Sequence, residues 1–359
     1  MNIFHSIVGL VALVFSTGTI PDVYAGGIVQ PQLGDDSNYS EYWEQQFLFE
    51  DGTFATSQFL ITNLPLSKHH GIQVGTLAGQ TVQAFGPRII VKNGRPRDGW
   101  AYDEEGAALN IFTHRLAGTH PGYLLQLKNT AAELDILFMA SQEPIPLVEK
   151  DNKQGLPEIT LYAPQVQSFG RWRAGPEIGG SGTDGTWQRM GYGGGYGLHV
   201  RQTRELHRSV SRWLRLTNIE GTRGSSVPLL HSFETPEGET RTILLLLSPF
   251  GAPLRFDKVV LDETDDGSAW RITARGAQST LEGSFTLTSK LDRFRLQDHL
   301  SGVEQLVAGA AADIDRHQAV ATYQFTLTTP AGSKDLSGKA ILEDIKVGEG
   351  PKKRNRRLR

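Results

Sequence analysis

Tyr42-Trp-Glu-Gln-Gln-Phe47-Leu-Phe-Glu-Asp51-Gly52-Thr-Phe54-Ala-Thr-Ser-Gln-Phe59-Leu-Ile-Thr62 is the stretch that decides the fold. Trp43, Phe47 and Phe49 fall on alternate positions among polar neighbours, Glu50-Asp51-Gly52 supplies turn chemistry, and Phe54 to Thr62 returns as a second apolar-patterned run. Period-two alternation on both sides of an Asp-Gly turn predicts a β-hairpin with one buried face. The pattern recurs at Gln83 to Lys92, Tyr123 to Leu127, Leu134 to Ala140, Ser211 to Asn218, Phe256 to Leu261, Trp270 to Ala274, Ser284 to Thr288 and Thr322 to Thr328. Ile243 to Leu247 is apolar throughout, as expected of a strand covered on both faces. Helical spacing occurs at Ser301 to Ala312. The expected fold class is therefore all-β, antiparallel barrels or sandwiches with a minor helix. Phe59-Leu-Ile-Thr-Asn63 and Trp213-Leu-Arg-Leu-Thr-Asn218 share a strand ending, which hints at a duplicated unit.

The chain of 359 residues contains no cysteine, so disulfides, thiolate metal sites and cysteine nucleophiles are excluded and the core must stabilise it unaided. Residues 1–25 have the layout of a secretory signal peptide, with an apolar run from Ile7 to Phe15 and small residues before Ala25, although no Lys or Arg precedes the run. Such a run is too short to cross roughly 30 Å of hydrocarbon as a helix, so export to a periplasm or the extracellular space is expected. The remaining length suits two domains, at 26–180 and 181–346, followed by a basic disordered tail at 347–359. The formal net charge is −3, and Lys352 to Arg359 hold six basic residues, so the body is acidic and no nucleic-acid partner is expected. The tail alone could contact anionic lipid.

Ten glycines lie between Gly175 and Gly197. They lack the Lys-Ser/Thr ending of a P-loop and precede no helix, so they are expected to form a domain boundary or a wall where backbone passes close to something bulky. Beside them, Tyr196 and His199 combine a phenol donor with an imidazole that titrates near neutrality, a pair suited to polarising or protonating a ligand. Trp187, Tyr192, Trp213 and Arg215 complete the candidate ligand-binding set. His69, His70, His114 and His120 lack metal-ligand spacing and read as surface or satisfied core histidines. Asp313, Asp315 and His317 alternate as a solvated strand face would. No Gly-x-Ser-x-Gly elbow or His-Glu-x-x-His motif occurs, no metal or cofactor is expected, and Asn38-Tyr39-Ser40 fits a glycosylation acceptor.

Three segments resemble one family. They are the Tyr42-Trp43 hairpin running through Asp51-Gly52 to Asn63, Trp100-Ala-Tyr-Asp-Glu-Glu-Gly106, and Gly193, Gly195, Tyr196 and His199 followed by Trp213 and Arg215. Across residues 40–345 the chain resembles the lipocalin-like carotenoid hydratase, AttH and fungal survival-factor superfamily, which includes Diels-Alderases. The resemblance implies two tandem lipocalin-like β-barrels and a hydrophobic small-molecule ligand, such as a lipid, isoprenoid or polyketide, held in a barrel or between domains. Leu198 stands where the family motif has Asp, and leucine cannot protonate a double bond. Glu205 and Glu234 are the candidate replacements. Binding is thus the leading expectation, a cofactor-free hydratase, isomerase or cyclase using Tyr196 and His199 the alternative, and a carbohydrate module with Trp100, Trp172, Trp187 and Trp270 as platforms a further one.

Overall fold

A computed structural model describes residues 29–64, 67–79, 88–94, 99–175, 185–218, 226–248, 251–295 and 313–348. The signal segment, residues 83–87 of the strand expected at Gln83 to Lys92, the helical spacing at Ser301 to Ala312 and residues 349–359 of the tail lie outside them, whereas Val347 and Gly348, expected in a disordered tail, are the end of a strand. The described chain is almost entirely β, in two nearly closed, barrel-like antiparallel sheets. The first has twelve strands and runs β4 (Arg88–Gly94), β3 (Ser67–Ala78), β2 (Phe54–Leu64), β1 (Ser40–Phe49), β12 (Gln188–Gln202), β11 (Glu158–Ala174), β9 (Ala132–Ala140), β8 (Gly122–Lys128), β7 (His114–Thr119), β6 (Ala108–Ile111) and β5 (Trp100–Asp103), with β10 (Ile145–Val148) added on β11; the second has nine, ordered β16 (Leu254–Phe256), β15 (Thr240–Leu247), β14 (Val227–Glu234), β13 (Arg212–Asn218), β21 (Gly332–Gly348), β20 (Asp313–Thr329), β19 (Thr280–Arg295), β18 (Ala269–Arg275) and β17 (Lys258–Glu263).

The opening hairpin forms as its pattern requires. β1 (Ser40–Phe49) pairs with β2 (Phe54–Leu64), and Gly52 takes a φ of 82° at the turn. Trp43, Phe47 and Phe49 point into the first sheet, where Phe47 meets Phe138 at 5.1 Å and Phe138 stacks on Tyr123 at 5.2 Å between ring centroids. The interior of the second sheet is closed in the same way by Leu214, Leu216, Phe256, Ile272 and a stacked Trp270–Phe285 pair. Aromatic and aliphatic side chains thus line both barrel interiors among the described residues.

The glycine run is not a loop from Gln188 onward. It forms β12 (Gln188–Gln202), the last strand of the first sheet, which pairs with β1 and with β11 (Glu158–Ala174). Gly193, Gly195 and Gly197 lie opposite Phe49, Phe47 and Gln45 on β1. A methyl on Gly197 would stand 2.5 Å from Tyr162 Cζ, and one on Gly193 would stand 2.9 Å from Phe49 Cδ1. The bulky groups that the glycines admit are thus core aromatic rings of the same sheet. The second sheet begins only with β13 (Arg212–Asn218), so the change of sheet falls between Gln202 and Arg212 rather than at 180/181.

Each sheet closes its centre alike, since the first strand pairs with both the second and the last: β1 with β2 and β12, β13 with β14 (Val227–Glu234) and β21 (Gly332–Gly348). The Phe59 and Trp213 echo therefore joins strands in non-equivalent places, β2 and β13, and does not mark the repeat. These equivalent strands carry the packing between the sheets. Tyr196, Leu198 and Val200 of β12 and Ile159 and Leu161 of β11 meet Trp213, Leu229, Phe233, Ile341 and Ile345 across a single buried seam. Each such side chain contributes about 1.5–3 kcal/mol by leaving water, so the seam joins the sheets firmly. β15 (Thr240–Leu247) confirms the expectation from its apolar run, with Leu244 and Leu246 in the second interior and Leu245 and Leu247 in the seam.

Candidate functional site

β1 is buried on both faces, so its residues 44 and 46 point into the seam although they are polar. Glu44 is paired across the ladder with Leu198, and Gln46 with Tyr196. From the other sheet come Arg215 of β13, Arg316 and Gln318 of β20 (Asp313–Thr329), and Glu343 of β21. Arg215 Nη2 lies 2.9 Å from Glu44 Oε1 and 2.6 Å from Glu343 Oε2. The Tyr196 hydroxyl is 3.1 Å and 3.2 Å from those same two oxygens, and Arg316 Nη1 reaches Glu44 Oε2 at 3.4 Å. Gln318 Nε2 donates to Glu343 Oε1 at 2.7 Å and Gln46 Nε2 to Glu44 Oε1 at 3.0 Å. The cluster balances two carboxylates against two guanidinium groups.

Desolvation raises the pKa of the Glu44 carboxyl, and Arg215 and Arg316 outweigh it, so that Glu44 is held below the ordinary carboxylate range and is ionised at neutral pH. Burial drives the Tyr196 phenol well above its usual value, so it remains a protonated donor. Burial, aided by Arg215, pushes His231 well below its usual range, and the neutral ring accepts the Trp213 Nε1 hydrogen bond at Nδ1, 3.2 Å away. Arg215 is only 1 % exposed, yet among the described residues its Nε and Nη1 have no acceptor, and Arg316 Nε, Gln46 Oε1 and Gln318 Oε1 are also unpartnered there. Unpaired buried donors cost about 1–3 kcal/mol each, so a guanidinium with two of them calls for an explanation.

A solved structure of CghA with Sch210972 superposes with a TM-score of 0.56 at 10 % identity, covering 94 % of this chain and 97 % of that one. An AttH-like protein from Nitrosomonas europaea gives 0.53 at 11 % identity, over 94 % and 99 %. A second CghA structure gives 0.51 at 11 % identity. The chain shares their fold. That is the fold which the resemblance implied, with similar coverage. No protein-family profile and no curated relative matches the sequence.

Of the six residues expected to form one site, the tertiary structure brings together Tyr196, Trp213 and Arg215, with the Arg215 guanidinium 4.9 Å from the Trp213 ring centroid. His199 points the other way, because an odd separation along a strand reverses the face. Its Nε2 contacts Glu41 Oε1 at 2.8 Å, its ring stacks on Trp43 at 5.0 Å, and Glu41 also receives the Tyr39 hydroxyl at 2.5 Å and the Gln32 N–H at 2.9 Å. Tyr196 and His199 therefore cannot act together on one ligand. Trp187 and Tyr192 are also apart from the seam. Arg171 and Arg173 lie over the Trp187 ring at 4.4 and 5.0 Å, and Tyr192 is 64 % exposed on the outer surface.

The carboxylates missed from sequence are Glu44 and Glu343. Glu44 stands directly cross-strand from Leu198, whereas Glu205 is engaged by Arg208 and His207 outside the seam. The signal for Glu44 was three consecutive polar residues, Glu44 to Gln46, in a strand otherwise lined by aromatic rings. His114 is a core histidine as expected, but only half satisfied: its Nδ1 accepts the Lys128 N–H, its Nε2 has no partner among the described residues, and burial lowers its pKa to about 4. Asp315 is engaged by Arg293 and His317. Trp172 and Trp270 are core residues, and Trp100 donates its Nε1 proton to the His69 carbonyl, so these rings form no open sugar platform.

Proposed function

We propose that the protein binds a hydrophobic small molecule in the seam between its two sheets, with an acceptor oxygen of that molecule set against Arg215. The observation that carries this reading is that two nitrogens of Arg215, a residue 1 % exposed, have no acceptor among the described residues, beside the apolar side chains of the seam. A guanidinium offers fixed donors to a carboxylate, enolate or carbonyl oxygen, while Leu198, Trp213 and Ile345 suit a greasy body. Burying about 400 Å² of apolar ligand gives roughly 10 kcal/mol before entropic losses, enough for useful affinity without metal or cofactor. The CghA structure named for Sch210972 supports the choice of a small molecule for this fold.

A second reading is favoured by the state of Tyr196. A protonated phenol beside an underused guanidinium is a donor set that stabilises a developing oxyanion, as a cofactor-free isomerase or cyclase requires. Acid-catalysed hydration fits less well, because Glu44 is ionised. His199 has no part in this version. We also propose that the protein works after export, with cleavage after Ala25. Expression with its own N terminus should then yield a periplasmic or secreted chain beginning at Gly26.

Native mass spectrometry of protein from its own host, with organic extraction, tests the binding reading. A co-purifying apolar molecule bearing an acidic or carbonyl oxygen is expected, with loading lost in Arg215→Gln. An empty protein that takes up nothing from a panel of fatty acids, isoprenoids and polyketides would falsify it.

A further inference from the structure

The outer face of the first sheet is apolar beyond the part that the second sheet covers. β9 (Ala132–Ala140), β11 and β12 lie side by side, and register places Leu137 beside Phe169 and Phe169 beside Tyr192, with Met139 two residues along. These four are 53 %, 38 %, 64 % and 48 % exposed in the order Leu137, Phe169, Tyr192 and Met139. Their strands also bury Phe138, Trp172 and Met190 on the inner face. An antiparallel strand that is apolar on both faces belongs to a sheet covered on both sides. Farther along β12 the same outer face is covered by a sheet, through Tyr196, Leu198 and Val200, and Gln142, just past Met139, donates to the Ser248 carbonyl of the second sheet. The uncovered row therefore continues an established sheet-to-sheet contact.

We infer that this face docks against a second copy of the same chain. The charge pattern singles out that occupant. Next to the apolar row, Arg171 lies beside Asp135, and Arg173 beside Glu133, one basic row on β11 and one acidic row on β9. A two-fold axis parallel to the strands, midway between β9 and β11, exchanges the two strands when one copy is turned onto the other. It sets Phe169 over the other copy's Leu137, Arg171 over its Asp135 and Arg173 over its Glu133, so apolar meets apolar and each charge meets its opposite. The face is thus complementary to itself, as a two-fold interface requires, and aligned sheets pack in this way. The exposed apolar surface of the row, roughly 400 Å², suits the centre of a standard interface of about 800 Å² per partner with a polar rim.

Sedimentation equilibrium of the full chain should give about twice 39.5 kDa at micromolar concentration. Phe169→Lys should weaken association by about 100-fold or more, with the unfolding midpoint of the dissociated monomer at nanomolar concentration unchanged, because that side chain points away from the core. Arg171→Asp should weaken it about tenfold, and Arg171→Asp with Asp135→Arg should restore it. A monomer up to 100 μM, or a dimer indifferent to Phe169→Lys, overturns the inference. So does a monomer that sediments with phosphatidylcholine/phosphatidylglycerol vesicles and loses that binding in Phe169→Lys, which would assign the face to a membrane.

Discussion

The hydroxyl of Tyr196, on the last strand of the first sheet, lies 3.2 Å from Glu343 Oε2, on the last strand of the second. One phenol thereby spans the seam and shares the carboxylate oxygen that Arg215 also holds. Phe in its place keeps the ring packing and deletes only the donor. Tyr196→Phe should therefore cost about 1.5 kcal/mol in a urea titration, the scale of a hydrogen bond to a charged group. A loss below about 0.3 kcal/mol would mean that the hydroxyl adds nothing to the joint between the sheets.

Arg215 supports both buried carboxylates, so its removal leaves two carboxylates facing the single guanidinium of Arg316. Arg215→Met should cost about 3–5 kcal/mol. Arg215→Met combined with Glu343→Gln should be less destabilised than the sum of the single changes, since the second substitution removes a charge that the first has stranded. Additive losses in the double-mutant cycle would contradict a shared network.

Acid should act on the same cluster. Burial raises the pKa of Glu44, but the two arginines outweigh that and hold it below 4.5 in the folded protein, so the unfolded chain binds its proton more readily. The resulting stability is fully present above about pH 4.5–5 and disappears as the pH falls through the lower folded value. The stability difference between the wild type and Glu44→Gln should be flat from pH 7 to 5 and shrink below about 4.5. A difference that grows on acidification would reverse the sign of the coupling.

Glu41 joins the segment before β1 to β12, since Gln32 N–H, Tyr39 and His199 converge on its carboxylate. Replacing it with Gln weakens all three charge-assisted bonds. Glu41→Gln should cost about 2 kcal/mol and speed amide exchange in residues 29–39 more than in the second sheet. Uniform exchange across both sheets would show that the segment is fastened elsewhere.

Gly197 faces Tyr162 with no room for a side chain. Gly197→Ala should destabilise by about 1–3 kcal/mol through overpacking, and combining it with Tyr162→Leu should relieve part of that loss. Equal stability of Gly197→Ala and wild type would mean that the ring moves freely.

Alternation in the sequence was enough to mark this as a β protein and to place most of its strands. Alternation along a strand is a local property, and it survives in Trp43, Phe47 and Phe49 because one face of β1 meets a core made by neighbouring strands. It also marked Tyr196, Trp213 and Arg215. Only the tertiary structure decided that those three meet Glu44, Arg316 and Glu343 while His199, three residues from Tyr196, does not. Periodicity assigns a residue to a face but does not say what covers that face, and partners such as Glu44 and Arg316 stand 272 residues apart. β12 stayed hidden for a related reason. Its glycines carry no side chains, so they leave no pattern until the rings of Phe47, Phe49 and Tyr162 are seen to occupy the space.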